Sequence, residues 1–170
     1  MIESLSYPKR VKDDEDSDVE KIVRILKVAM RTLEFHFSEF LEEMFTSVLS
    51  AFSKYPICSY VYLVEVTVTI FSANSAYNDY LRRLYSDFCD IAFNHMNKIQ
   101  DIGRFSYLLD DYMGMNKRFF VHNASTILSS GKLPSIIELT INYFMGCDVP
   151  RIAKAAYSFF ETIFMVYWTP

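Results

Sequence analysis

Four glycines and five prolines are few for a chain of 170 residues. That scarcity excludes a loop-rich β-sandwich, whose many tight turns draw on both residue types. Cysteine is sparse as well. Cys58, Cys89 and Cys147 are scattered and odd in number, with no CxxC, and the three histidines are not clustered. No disulfide framework or zinc site can be built from that set, so the chain reads as reduced and intracellular. The sequon formed by Asn123, Ala124 and Ser125 is accordingly read as a chance match. Excess positive charge is missing too. A net charge of -4 argues against broad nucleic-acid binding, so any basic function must be local. Residues 1–17 are polar and run into DDEDSD, without the apolar stretch of a secretory leader. The longest apolar run, Ile57 to Phe71, contains Glu65 and several threonines and is too short to span a bilayer. We therefore expect a soluble protein without membrane insertion.

Hydrophobic residues make up 51% of the chain, and 15 Phe with 12 Tyr promise an unusually aromatic interior in a single domain. Lys9, Arg10 and Lys12 precede an acidic run, and residues 1–17 are expected to form a flexible acidic connection. From 18 onward the spacing predicts seven helices. The first, 18 to 33, carries Lys21, Arg24, Lys27 and Arg31 in one arc roughly 120° wide, at about 100° per residue. Ile22, Leu26, Ala29 and Leu33 fill the opposite arc, with Val23 and Met30 at its edge. No carboxylate occurs between Glu20 and Glu34. A run of cations without local partners points to an anionic ligand, although a merely solvated helix face has the same outline.

The second helix, about 38 to 53, is expected to start on Ser38 as N-cap and to bury Leu41, Phe45, Val48 and Phe52. The third, about 57 to 72, alternates like a strand through YVYLVEVTVTIF. Helix is preferred there because a lone strand among helices would leave its backbone groups unpaired. The fourth, about 76 to 97, presents Leu81, Leu84, Phe88 and Ile91; the fifth, about 107 to 122, presents Leu108, Tyr112, Met115 and Phe119, with Gly114 costing up to ~1 kcal/mol. The sixth, about 133 to 145, opens with Pro134 and stops at Gly146. The last starts at Pro150, with Ile152, Ala156, Phe159, Ile163 and Phe164 inward. Alternate helices have centres roughly 38 to 51 residues apart, which overlaps the period of HEAT and armadillo helix pairs. A globular bundle fits the same stripes.

Catalysis has no support. His36, His95 and His122 fall on different helices without a ligand or triad spacing. Asp110 and Asp111 diverge by about 100° on a helix and are assigned to the first turn of the fifth helix, where negative charge suits the dipole. The four glycines are isolated, so there is no phosphate loop, and no cofactor or metal is expected.

VEKIVRILKVAMR (19–31), followed by SEFLEEMFTSVLSAFSKYPICSYVYLVEVTVTIF (38–71), resembles the C-terminal half of β-karyopherins of the transportin-3 and importin-13 group. DDYMGMNKRFF (110–120), LPSIIELTI (133–141) and DVPRIAKAAYSFFETI (148–163) are similar to the helices that follow, in the same order. The resemblance covers residues 18–165 and rests on collinearity, since no single motif is a signature. It implies an all-α HEAT-repeat α-solenoid fragment: one unpaired inner helix and three helix pairs over 18–170, within a larger superhelical receptor. The end at YWTP fits a boundary inside a longer protein. Such receptors shuttle between cytoplasm and nucleus, carry protein cargo, and engage the GTPase Ran and nucleoporins through the full-length receptor, without direct nucleic-acid binding. In the transportin-3 branch the matching helix is Arg-rich and lines the concave surface, where it grips phosphorylated arginine-serine domains of splicing factors. Lys21, Arg24, Lys27 and Arg31 fall on its Arg positions, and this retained stripe points to that branch rather than to importin-13. Lys21 and Lys27 replace arginines, which exchanges a planar fork for a point charge and should relax selectivity for phosphate. The rival reading is a HEAT or armadillo interaction scaffold with no transport role.

Overall fold

The computed structural model describes residues 12–98, 105–146 and 148–168, with side chains from 18 to 166 within those spans. Lys9, Arg10 and Cys147 lie outside the described residues. Among the described residues seven α-helices follow one another: α1 Lys12–Leu33, α2 Leu41–Lys54, α3 Cys58–Phe71, α4 Asn78–Met96, α5 Ser106–Ser130, α6 Leu133–Met145 and α7 Pro150–Trp168. Short 3-10 helices at Glu34–Phe40 and Ser75–Tyr77 lead into α2 and α4. No strand occurs among the described residues. None of their helices is long and apolar enough to cross a membrane. α1 begins at Lys12, inside the stretch expected to connect rather than to pack.

The helices form two layers. α1, α3, α5 and α7 pack in succession as one layer; α2 and α4 pack together in the other, with α6 joined to α4 by a side-chain hydrogen bond. The pairs α2–α3, α4–α5 and α6–α7 thus stack as repeats, with α1 supernumerary in the four-helix layer, the one the resemblance makes inner, which is the arrangement of an α-solenoid segment.

α3 is helical despite its strand-like alternation. Val61, Leu63, Val64, Val66, Thr67, Val68 and Phe71 are all buried. A helix covered on several sides, between α1 and α5, loses the 3.6-residue pattern that a surface helix shows. Burial outweighs the small propensity difference of its β-branched residues.

Terminal signals decide several boundaries. Pro134 sits in the first turn of α6 and Gly146 follows its last residue. α5 closes on Gly131 at φ 67°, where a side chain would be strained. Its regular part ends at Asn123, whose φ of -153° and ψ of 63° break the helix near the expected end at 122. The Asn123 side chain is buried and donates to Asn78 Oδ1 at 3.0 Å. Glycan attachment there would require this contact to open. Ser38 is not the N-cap of α2: it lies within the 3-10 segment, and α2 starts at Leu41 after Phe40 with no side-chain cap. The buried stripe Leu41, Phe45, Val48 and Phe52 is as expected.

Two other stripes differ from expectation. In α1 the buried residues are Val23 and Met30, with Val19, Leu26 and Ala29 packed beside them, whereas Ile22 and Leu33 are 57% and 43% exposed. The buried line is turned by roughly 70° from the expected arc, because α1 packs chiefly against α3 in its layer. In α7 Ile152, Ala156 and Phe159 are buried, but Phe164 is 58% exposed.

Polar ties hold the outer helices end to end. Phe52 O and Met96 O lie in the last turns of α2 and α4, where carbonyls have no intrahelical donor. His95 Nε2 donates to the first at 2.9 Å and Tyr143 Oη to the second at 2.7 Å. Tyr80 Oη donates to Leu41 O at 3.0 Å. Phe52 and Phe88 stack beside these ties, with centroids 4.4 Å apart.

Candidate cargo surface on the inner layer

The four cations of α1 differ in their surroundings. Lys21 Nζ lies 2.8 Å from Asp18 Oδ1, and Arg24 Nη2 lies 2.5 Å from Glu20 Oε1. The expectation of cations without local partners therefore fails for these two, whose carboxylates stand one turn earlier. Counting only residues after Glu20 overlooked them; the Glu20–Arg24 spacing of i to i+4 is a favourable helix pair. Both pairs are exposed, so each contributes at most about 1 kcal/mol and opens readily for a stronger ligand. Lys27 and Arg31 have no carboxylate within ion-pair distance among the described residues. Lys27 Nζ approaches Tyr62 Oη at 3.4 Å and the Tyr62 ring centroid at 5.4 Å, a cation–π contact across to α3.

Arg31 reaches further, into a cleft of about 240 Å³ lined by Tyr62, Glu65, Val66, Thr69 and Ile70 of α3 and by Arg118 of α5. Sequence reasoning used Glu65 only as an argument against a membrane span and passed over Arg118. Their signal was a single carboxylate inside an apolar helix, together with a glycine in the helix that packs on it. A Cβ at Gly114 would lie 2.7 Å from Glu65 Oε1, so the missing side chain on α5 leaves room for the Glu65 carboxyl. Burial, and then the charge of Asp111, push Glu65 up to about 7, against the opposing pull of Arg118 and Lys117.

Asp110 and Asp111 are not in the first turn of α5, which contains no acidic residue. Asp110 Oδ2 pairs with Arg151 Nη1 of α7 at 3.2 Å, and the Arg151 guanidinium lies 3.9 Å from the Tyr107 ring centroid. Asp111 is half-buried, and its carboxyl is raised chiefly by that burial, while a hydrogen bond with Cys58 opposes the shift. Lys117 Nζ donates to Ser158 Oγ at 2.5 Å. The inner layer thus presents cations from α1, α5 and α7 around a few carboxylates. The histidines do not converge: His36 is in the first 3-10 helix, His95 caps α2, and His122 is on α5, its pKa lowered by burial and by Arg118. Cys89 is buried, its thiol pushed up to about 12 by desolvation, which makes it a poor nucleophile.

Helix pairs stacked in two layers, with a charged face built from side chains of successive repeats, define a helical-repeat segment. A family model described as the transportin-3/importin-13 fourth TPR domain matches residues 6–96, more than half of the chain, and the chain belongs to that family. It is a repeat domain of a nuclear transport receptor, in a family of transport receptors rather than enzymes. A search of curated proteins finds no match.

Proposed function

We propose that the chain is a cargo-binding segment of an import receptor of the transportin-3 branch, and that Lys21, Arg24, Lys27 and Arg31 receive a phosphorylated arginine-serine-rich protein segment. Ran and nucleoporins then act through the full-length receptor, which shuttles between cytoplasm and nucleus. The observation that carries this reading is the placement of the four cations on one accessible side of α1, with Lys27 and Arg31 free of carboxylate partners among the described residues. Well-formed charge-assisted contacts contribute roughly 1.5–3 kcal/mol each, and exposed ones far less.

Titrating a phosphorylated arginine-serine peptide into the chain and into the double variant Arg24→Glu, Arg31→Glu tests it. The reversed protein, shown to be folded, is expected to bind at least about tenfold more weakly. Added salt is expected to weaken the unaltered chain more than the variant, because screening acts on charges the variant no longer presents. Equal affinity at low salt discards the reading. The second reading, an interaction scaffold without a transport role, draws support from the ion pairs Lys21–Asp18 and Arg24–Glu20, which are what a solvated face would show.

A further inference from the structure

We propose that the cleft between α1, α3 and α5 is a phosphoryl-binding site in which Arg31 and Arg118 grip the anion from opposite helices and Glu65 is a protonatable wall. The inference rests on the inner layer being the cargo face and deepens that reading, because Arg118 and Glu65 stand outside the α1 stripe.

The two guanidinium groups come from different helices, and both line the one cleft. Neither has a carboxylate within ion-pair distance among the described residues. Arginine's planar fork suits a phosphoryl group better than a lysine ammonium does, and Arg31 is one of the two arginines in the stripe. Tyr62 adds a donor: its hydroxyl oxygen accepts from Lys27 Nζ, which leaves the phenolic proton for a ligand. Thr69 does not, since its hydroxyl donates to Glu65 O at 2.8 Å.

Glu65 sets when the site is open to an anion. Arg31 of α1 and Tyr62 of its own helix line the same cleft, Asp110, Asp111, Lys117 and Arg118 of α5 act on its charge, and Lys27 of α1 stands behind Tyr62. An ionised Glu65, which lines the same cleft as Arg31 and Arg118 but lies beyond ion-pair distance of either, repels a phosphoryl dianion held there; a neutral carboxyl does not, and it can donate a hydrogen bond. Glu65 is pushed up to about 7, so the exchange falls near neutral pH. A phosphoserine remains mostly dianionic above about pH 6, so titration of the ligand itself does not confuse the comparison.

The test measures binding of a phosphoserine-containing arginine-serine peptide to the 170-residue chain and to Glu65→Gln, Arg118→Ala and Arg24→Glu. With a coupling of about one pKa unit, the unaltered chain is expected to bind roughly threefold more tightly at about pH 7 than at about pH 8. Glu65→Gln is expected to lose that dependence and to bind roughly fivefold more tightly than the unaltered chain at about pH 8. Arg118→Ala is expected to weaken the peptide roughly tenfold. Inorganic phosphate, added as a competitor, is expected to displace the peptide from the unaltered chain more readily than from Arg118→Ala. If Arg24→Glu weakens binding while Arg118→Ala and Glu65→Gln behave like the unaltered chain, the cleft is overturned and the stripe stands. If no variant changes affinity, both fall. Equal competition by phosphate in the unaltered chain and Arg118→Ala also overturns the cleft.

Discussion

Glu65 is the only acidic residue in α3, and its carboxyl is held where burial and Asp111 disfavour the charge. A carboxyl raised from 4.5 to about 7 binds its proton more tightly in the folded chain than in the unfolded one. Between these values the folded state holds the extra proton, so stability falls as pH rises through the window. Above it, the ionised Glu65 costs at most ~3 kcal/mol, less what residual solvent contact returns. Glu65→Gln should therefore be more stable than the unaltered chain at about pH 8 and nearly equal to it at about pH 4, as read by urea denaturation at each pH. A larger difference at the acid end would contradict the sign. Gly114→Ala is the paired measurement. The added methyl meets only the far end of a flexible side chain, while the helix gains up to ~1 kcal/mol of propensity. Stability should hold or rise, and the Glu65 carboxyl, displaced outward, should titrate closer to its ordinary value by NMR. A Glu65 titration unchanged by the methyl would show that the glycine does not govern the carboxyl's position.

At the scale of the element, α1 shows how a stripe can be correct in composition and wrong in phase. Periodicity located an apolar arc opposite the cations, but it could not tell which part of that arc a neighbour would cover. Met30 is fully buried, its sulfur 3.5 Å from Thr67 Oγ1, while Ile25 is 68% exposed. Met30→Ala should cost about 2–5 kcal/mol and Ile25→Ser less than about 0.5 kcal/mol, measured by chemical denaturation. Similar costs for the two would restore the expected phase. Where local chemistry dictates an end, the sequence was legible for α6, which Pro134 and Gly146 bracket; the Gly131 that closes α5 went unread, and the helix was expected to stop at about 122. α3 was legible only through the argument that a strand there would lack partners. Ser38 misled because a 3-10 segment, entered through Glu34 at φ 47°, delays α2 to Leu41. The cleft was illegible because Arg31, Glu65 and Arg118 meet only when three helices are stacked, and no one-dimensional spacing records that.

Across the whole molecule, protection should follow the stacking. α3 and α5 each lie between two neighbours of their own layer, whereas α1 leans chiefly on α3 and α6 leaves Ile141, Phe144 and Met145 exposed. Amide exchange should therefore be slowest in α3, α4 and α5 and earlier in α1 and α6; uniform protection would indicate a single cooperative bundle instead of a repeat stack. The layers also differ in kind. Both layers have polar ties, but the inner ones, Arg151 to Asp110 and Lys117 to Ser158, join two side chains, whereas the outer rivets run from a side chain to a neighbour's carbonyl: His95 to Phe52, Tyr143 to Met96, Tyr80 to Leu41. Each rivet contributes only about 1 kcal/mol and breaks within a fraction of an ångström, whereas an apolar seam resists over a longer slide. Loaded along its axis, the segment is expected to give way first on its outer side, where the helices meet over less backbone, so that it bends before it comes apart.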